Sequence, residues 1–158
     1  MSEKLRVSFN SPQSGYMSVG LKAGTERVVF GASHQPVDSL RDLLEKLVAL
    51  LTGKESSVVV RWNCEPDEYD FRFAYQGDGD TLRLEIVHRQ NFGRSRSASQ
   101  KVFVFEGAKL DLGMTFWQAL ENLRQDIFTD EYDKNWRRPF PQLEMQRFTE
   151  VVHALAPV

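Results

Sequence analysis

The chain has 158 residues, with 20 lysines and arginines against 22 aspartates and glutamates, for a net charge of −2. That length suits a single domain with a real core, and eleven Phe, three Trp and four Tyr argue against disorder. The lone Cys64 excludes an internal disulfide framework and any multi-cysteine metal site, while the mildly acidic balance argues against general affinity for nucleic acid.

In chain order, the first elements predicted are short strands. Leu5, Val7 and Phe9 alternate with polar residues until Asn10-Ser11-Pro12 breaks the run. Met17, Val19 and Leu21 alternate again, and Val28-Val29-Phe30 follows a turn at Ala23-Gly24-Thr25. The period then changes in PVDSLRDLLEKLVALLTG. Leu40, Leu43, Leu44, Leu47, Val48 and Leu51 recur at three- and four-residue steps, which places them on one helical face. Asp38 or Ser39 can cap the first free N–H groups, and Gly53 can end the helix in a left-handed conformation.

Four strands follow. Val58, Val60, Trp62 and Cys64 share one parity, as do Tyr69, Phe71, Phe73 and Tyr75 after the Glu65-Pro66 break. Leu82, Leu84, Ile86 and His88 alternate after QGDGD, and KVFVFEG completes the run. Short connections imply antiparallel neighbours. In the last third, Phe116, Leu120, Leu123 and Ile127 line a helix, with Thr115 and Gln118 in a capping-box pattern. The segment TDEYDKNWRRPFP interrupts it, and Met145, Phe148, Val151, Val152 and Leu155 stripe a final helix. No repeat or linker divides the chain. The expectation is one α+β domain over residues 1–158: an antiparallel β-meander sheet with helices packed mainly on one face.

Parity then assigns a second face. If Trp62, Phe71 and Leu84 point at the helices, the opposite side carries Val59, Arg61, Asn63, Glu68, Asp70 and Arg72, and next to them Arg83, Glu85 and Val87. Charges of both signs alternate there. This face is either solvated and stitched by cross-strand ion pairs or a docking face for a protein.

Two further segments are candidates for a partner. RQNFGRSRSASQK, residues 89–101, holds Arg89, Arg94, Arg96 and Lys101 with no acidic residue, and Phe92 beside the arginines. It reads as a long, solvated hairpin connection. Its uses divide between a plain tip, a contact loop that steers toward an acidic protein, and either a grip on nucleic acid through stacking and phosphate contacts or control by phosphorylation. NWRRPFP contains Trp136, Arg137 and Arg138, residue types enriched at binding hot spots. The favoured reading, however, is that Trp136 and Phe140 anchor the link between the last two helices, with Pro139 and Pro141 stiffening it.

Signals for catalysis are sparse. The carboxylates of EPDEYD (Glu65, Asp67, Glu68 and Asp70) fall in a turn and on the charged face, without calcium-loop spacing. His34, His88 and His153 lie in a loop, a strand and a helix, without metal-ligand spacing. Cys64 alternates with Val60 and Trp62, which suits a buried, inert thiol. No nucleophile elbow, phosphate-binding glycine loop or dinucleotide fingerprint is present.

The order LRDLLEKLVALLTG, VVVRWNCEPDEYDFRF, LRLEIV, VFVFEG and FWQALENLRQ, over roughly residues 36–128, resembles small bacterial immunity proteins of the WapI-like kind. The resemblance implies a cytoplasmic, non-enzymatic binder of a polymorphic toxin and transfers no functional residue. Met1 is followed by SEKLRVSFN, without the apolar core of a secretory signal, and no apolar run nears the roughly 18 residues of a membrane span. The expectation is therefore a cytoplasmic module that docks another protein, with no membrane or cofactor and with its oligomeric state open. The alternatives are a small-ligand protein or hydrolase with a cleft between sheet and helices, using Glu65 or Asp67 with His88, and a weak nucleic-acid binder through the 89–101 loop.

Overall fold

A computed structural model describes residues 4–77, 79–91, 97–128 and 131–156. The opening strands, β1 (Leu5–Phe9), β2 (Tyr16–Ala23) and β3 (Glu26–Ser33), form an antiparallel sheet in the order β1-β2-β3. After α1 (Ser39–Leu51) come β4 (Ser57–Asn63), β5 (Glu68–Gln76), β6 (Thr81–Asn91) and β7 (Ser97–Ala108), an antiparallel meander in chain order. The helices α2 (Lys109–Gln125), α3 (Tyr132–Trp136) and α4 (Gln142–Leu155) complete the chain. The architecture is α+β with antiparallel sheets, as the alternation predicts, but the strands make two sheets and not one curved layer.

The helical period explains α1. Leu40, Leu43, Leu44, Leu47 and Leu50 are all fully buried, each contributing roughly 1.5–3 kcal/mol of apolar burial. Asp38 caps the helix, its side chain accepting from the Arg41 N–H at 3.3 Å. Gly53 follows the C-terminus at φ +79°, where a side chain would be strained.

The core lies between the inner faces of both sheets and the helices. Phe30 of β3 stacks on Tyr69 at 4.4 Å and meets Trp62 and Phe71, while Phe9 stacks on Trp62 at 6.1 Å. Phe116 of α2 reaches Phe9 and Phe73. α1 packs on β4, α2 packs on β1, and α4 lies on both helices. Gly113 lets α1 and α2 approach, since a Cβ there would meet Leu51 at 3.1 Å.

Two sequence expectations need correction. α2 starts at Lys109 and not at Thr115. Thr115 sits inside the helix, and its hydroxyl donates back to the Asp111 carbonyl at 2.8 Å, the usual alternative for a mid-helix threonine. The basic hairpin connection is also shorter than it reads. Arg89 belongs to β6 and Lys101 to β7, with Arg89 opposite Ser99 and Val87 opposite Lys101.

Candidate functional site

The alternation of β4 to β7 puts one charged residue after another on the side away from the core, and the register sets their neighbours. Arg61 lies opposite Asp70, Arg72 opposite Glu85, Glu68 opposite Arg89 and Arg83 opposite Glu106. Three of these four facing pairs are ion pairs, and Arg72 reaches Asp70 instead. Arg83 holds Glu85 and Glu106, each at 2.7 Å, and Lys101 reaches Glu85 at 3.4 Å. The Arg83 hydrogen bond keeps the Glu85 carboxyl below its ordinary range, with Lys101 adding to the effect.

At the centre is Asp70, only 1 % exposed although it faces outward. Three guanidinium groups surround it: Arg61 Nε at 3.1 Å, Arg89 Nε at 3.4 Å and Arg72 Nη2 at 3.7 Å. Arg61 and Arg89 also reach Glu68 at 3.4 and 3.9 Å. Val87, opposite Asp70, is buried at the same spot. One carboxylate thus orients three arginines, of which Arg61 and Arg72 keep about half of their side chains exposed to a planar anionic group.

Val102, Phe103, Val104 and Phe105 of β7 are apolar on both parities, and a β-bulge sets which of them face inward. The β6–β7 register shifts between Ile86 and Val87, so Ile86 faces Phe103 while Val87 faces Lys101. Val102 is the extra residue. The shift keeps Phe103 in the core and brings Lys101 onto the charged side.

A second cluster sits where β5 begins. Glu65 takes φ +46°, a strained value for a residue with a side chain. Its carboxylate accepts from the Tyr16 hydroxyl at 2.8 Å and the Ser33 hydroxyl at 3.3 Å. That bond holds the Tyr16 proton more tightly than in a free phenol. Asp67 and His88 lie 2.9 Å apart, and His88 stacks on Tyr69 at 4.5 Å. Glu65 is therefore committed to the three-stranded sheet while Asp67 pairs with the imidazole. Cys64 is half-buried, its thiol pushed up to about 12 by burial and then by Asp67 and Glu68. An inert thiol fits that value.

The structure separates the residues that sequence reading grouped as partner-binding. Arg89 and Lys101 join the charged face. Phe92, Arg94 and Arg96 lie outside the described residues, in the connection between β6 and β7. Trp136 is fully buried, its indole N–H donating to Asp38 at 3.3 Å, so it offers no surface to a partner. Arg138, partly buried, is tied to the chain's own backbone: Nε donates to the His34 carbonyl at 2.7 Å and Nη2 to the Pro36 carbonyl at 3.2 Å. Arg137 is exposed. Arg61 and Arg72 stand beside the residues predicted from the hairpin. The parity argument places them on the face, but the burial of Asp70 that ties them together has no local sequence signal.

Comparison with protein-family models, curated proteins and solved structures finds no match. Among the described residues no helix is long and apolar enough to cross a membrane.

Proposed function

We propose that this chain is a non-enzymatic protein-binding module that blocks its partner by covering it with the outer face of β4–β7. A toxin with an acidic surface is the partner that the immunity-like resemblance and the arginine chemistry jointly favour. The observation that carries the reading is the buried Asp70 with its three arginines. Arg61 and Arg72, about half exposed, are held in place before any partner arrives. Ordering such side chains on binding otherwise costs roughly 0.5–1.5 kcal/mol each. Arg94 and Arg96, outside the described residues, add two more positive charges to the sequence between β6 and β7. Charge of this kind sets association rate and partner choice more than raw affinity.

The test has two stages. The tagged chain is expressed in its native host, and the protein that co-purifies is identified and produced. Its association rate is then measured at low salt against wild type, Arg72→Glu and the double reversal Arg94→Glu with Arg96→Glu. The expected result is capture slowed by about tenfold for each variant, lost at high salt, with circular dichroism unchanged. Equal rates for all three proteins would remove the outer face from the reading.

A further inference from the structure

A groove of about 810 Å³ runs between β1, the end of β7 and α2, on the far side of Glu106 from the Asp70 cluster. A second hollow of about 300 Å³ continues it, the two sharing Val7, Ala119 and Asn122. Its lining on β1 is consecutive, from Lys4 to Val7 and on to Ser11, so both parities of the strand contribute. A groove over one face of a strand would be lined by alternate residues only. This one runs along the strand's edge. The opposite wall is a single helical stripe, with Met114, Gln118 and Asn122 four residues apart and all exposed.

That edge is open. β1 pairs with β2 alone, and among the described residues no backbone hydrogen bond reaches its other side. Every second residue of an edge strand presents an N–H and a C=O outward, a template for one more strand. We propose that the β1 edge takes up an extended peptide segment by strand addition, with α2 as the flanking wall. This goes beyond docking on the outer face and does not depend on it.

Charge defines the occupant. Lys4 and Arg6 are exposed and carry no ion pair among the described residues, whereas Glu106 is already held by Arg83. Residues of the added strand on the Lys4 and Arg6 side therefore meet two uncommitted cations and should be acidic. Those of the other parity meet Val7, Ala119 and Met114 and should be small and apolar. Asp111 lies in the first turn of α2, where a carboxylate suits the helix terminus. A second copy of this chain is disfavoured by the same charges. Full antiparallel pairing of β1 with its own copy would turn about Val7 and set Arg6 opposite Ser8 and Lys4 opposite Asn10, so neither cation would gain an opposite charge. The ligand is thus an extended segment, of about the five residues of β1, that alternates acidic and small apolar side chains.

Amide chemical shifts and amide exchange of the full chain test this, with a hexapeptide alternating Glu and Val as the probe. It should slow exchange and shift resonances at Arg6, Val7 and Ser8. A hexapeptide alternating Lys and Val should bind at least several-fold more weakly, and Lys4→Glu with Arg6→Glu should reverse that preference. N-methylation of the Glu–Val peptide on its pairing edge leaves the protein untouched and should weaken binding by about tenfold, since it removes backbone hydrogen bonds. No response at β1 up to millimolar peptide overturns the proposal. So does equal binding of the N-methylated peptide, a response confined to β4–β7, or self-association that protects β1 without peptide. Failure of charge reversal at Arg72 leaves these readouts unaffected, so the two proposals fail separately.

Discussion

Trp136→Ala is expected to lower the unfolding free energy by about 3–5 kcal/mol, the usual cost of removing a buried indole. The ring is fully buried, meets His34 edge-on at 6.3 Å and donates to Asp38, the residue that caps α1. It therefore ties the segment before α4 to the start of the first helix, across most of the chain's length. A loss of that size is a large share of the 5–15 kcal/mol that ordinarily holds a domain together. Urea denaturation measures it through the midpoint at constant slope. Trp136→Phe, which keeps most of the packing and loses the N–H bond, should cost about 1 kcal/mol. An alanine variant within 1 kcal/mol of wild type would mean that the indole is not an anchor.

Asp70→Ala is the second large effect. Removing one partner of a buried ion pair leaves uncompensated charge and typically costs 3–5 kcal/mol. Here the three arginines are one-third to one-half exposed, so water takes over part of the role. The expected loss is about 1–3 kcal/mol. It should shrink in the double variant Asp70→Ala with Arg61→Ala, because one of the stranded cations is gone. Binding of the captured partner should also weaken, since the guanidinium groups lose the carboxylate that orients them. Unchanged stability together with unchanged binding would show that Asp70 organises nothing.

These residues also show how far the sequence was legible. The leucine stripe of α1 follows from spacing alone and its cap is narrowed to Asp38 or Ser39, because a helix face and a cap are local properties; the structure selects Asp38. The charged side of β4–β6 follows from parity for the same reason. The bulge between Ile86 and Val87 does not. It is a property of a strand pair, and Val102-Phe103-Val104-Phe105 only looks ambiguous until one extra residue is placed in it. The start of α2 was misread because Ala108 caps it without a side-chain bond, while Thr115 offers a cap pattern that its own helix absorbs. Arg138 looks like a surface hot spot in NWRRPFP. Its partners, the carbonyls of His34 and Pro36, lie about a hundred residues earlier, beyond any local pattern. Asp70 combines both problems: its face is legible, but its burial depends on arginines from three strands converging on one point.

The proposed blocking of a partner rests on β4–β7 meeting it with their outer side. Arginine labelling with phenylglyoxal, read by mass spectrometry on the free chain and on the complex with the captured partner, tests it most directly. The account predicts that Arg61 and Arg72 become protected in the complex while Arg27, exposed on the three-stranded sheet, labels as before. Protection of Arg27 or Arg137, with Arg61 and Arg72 still reactive, would contradict it.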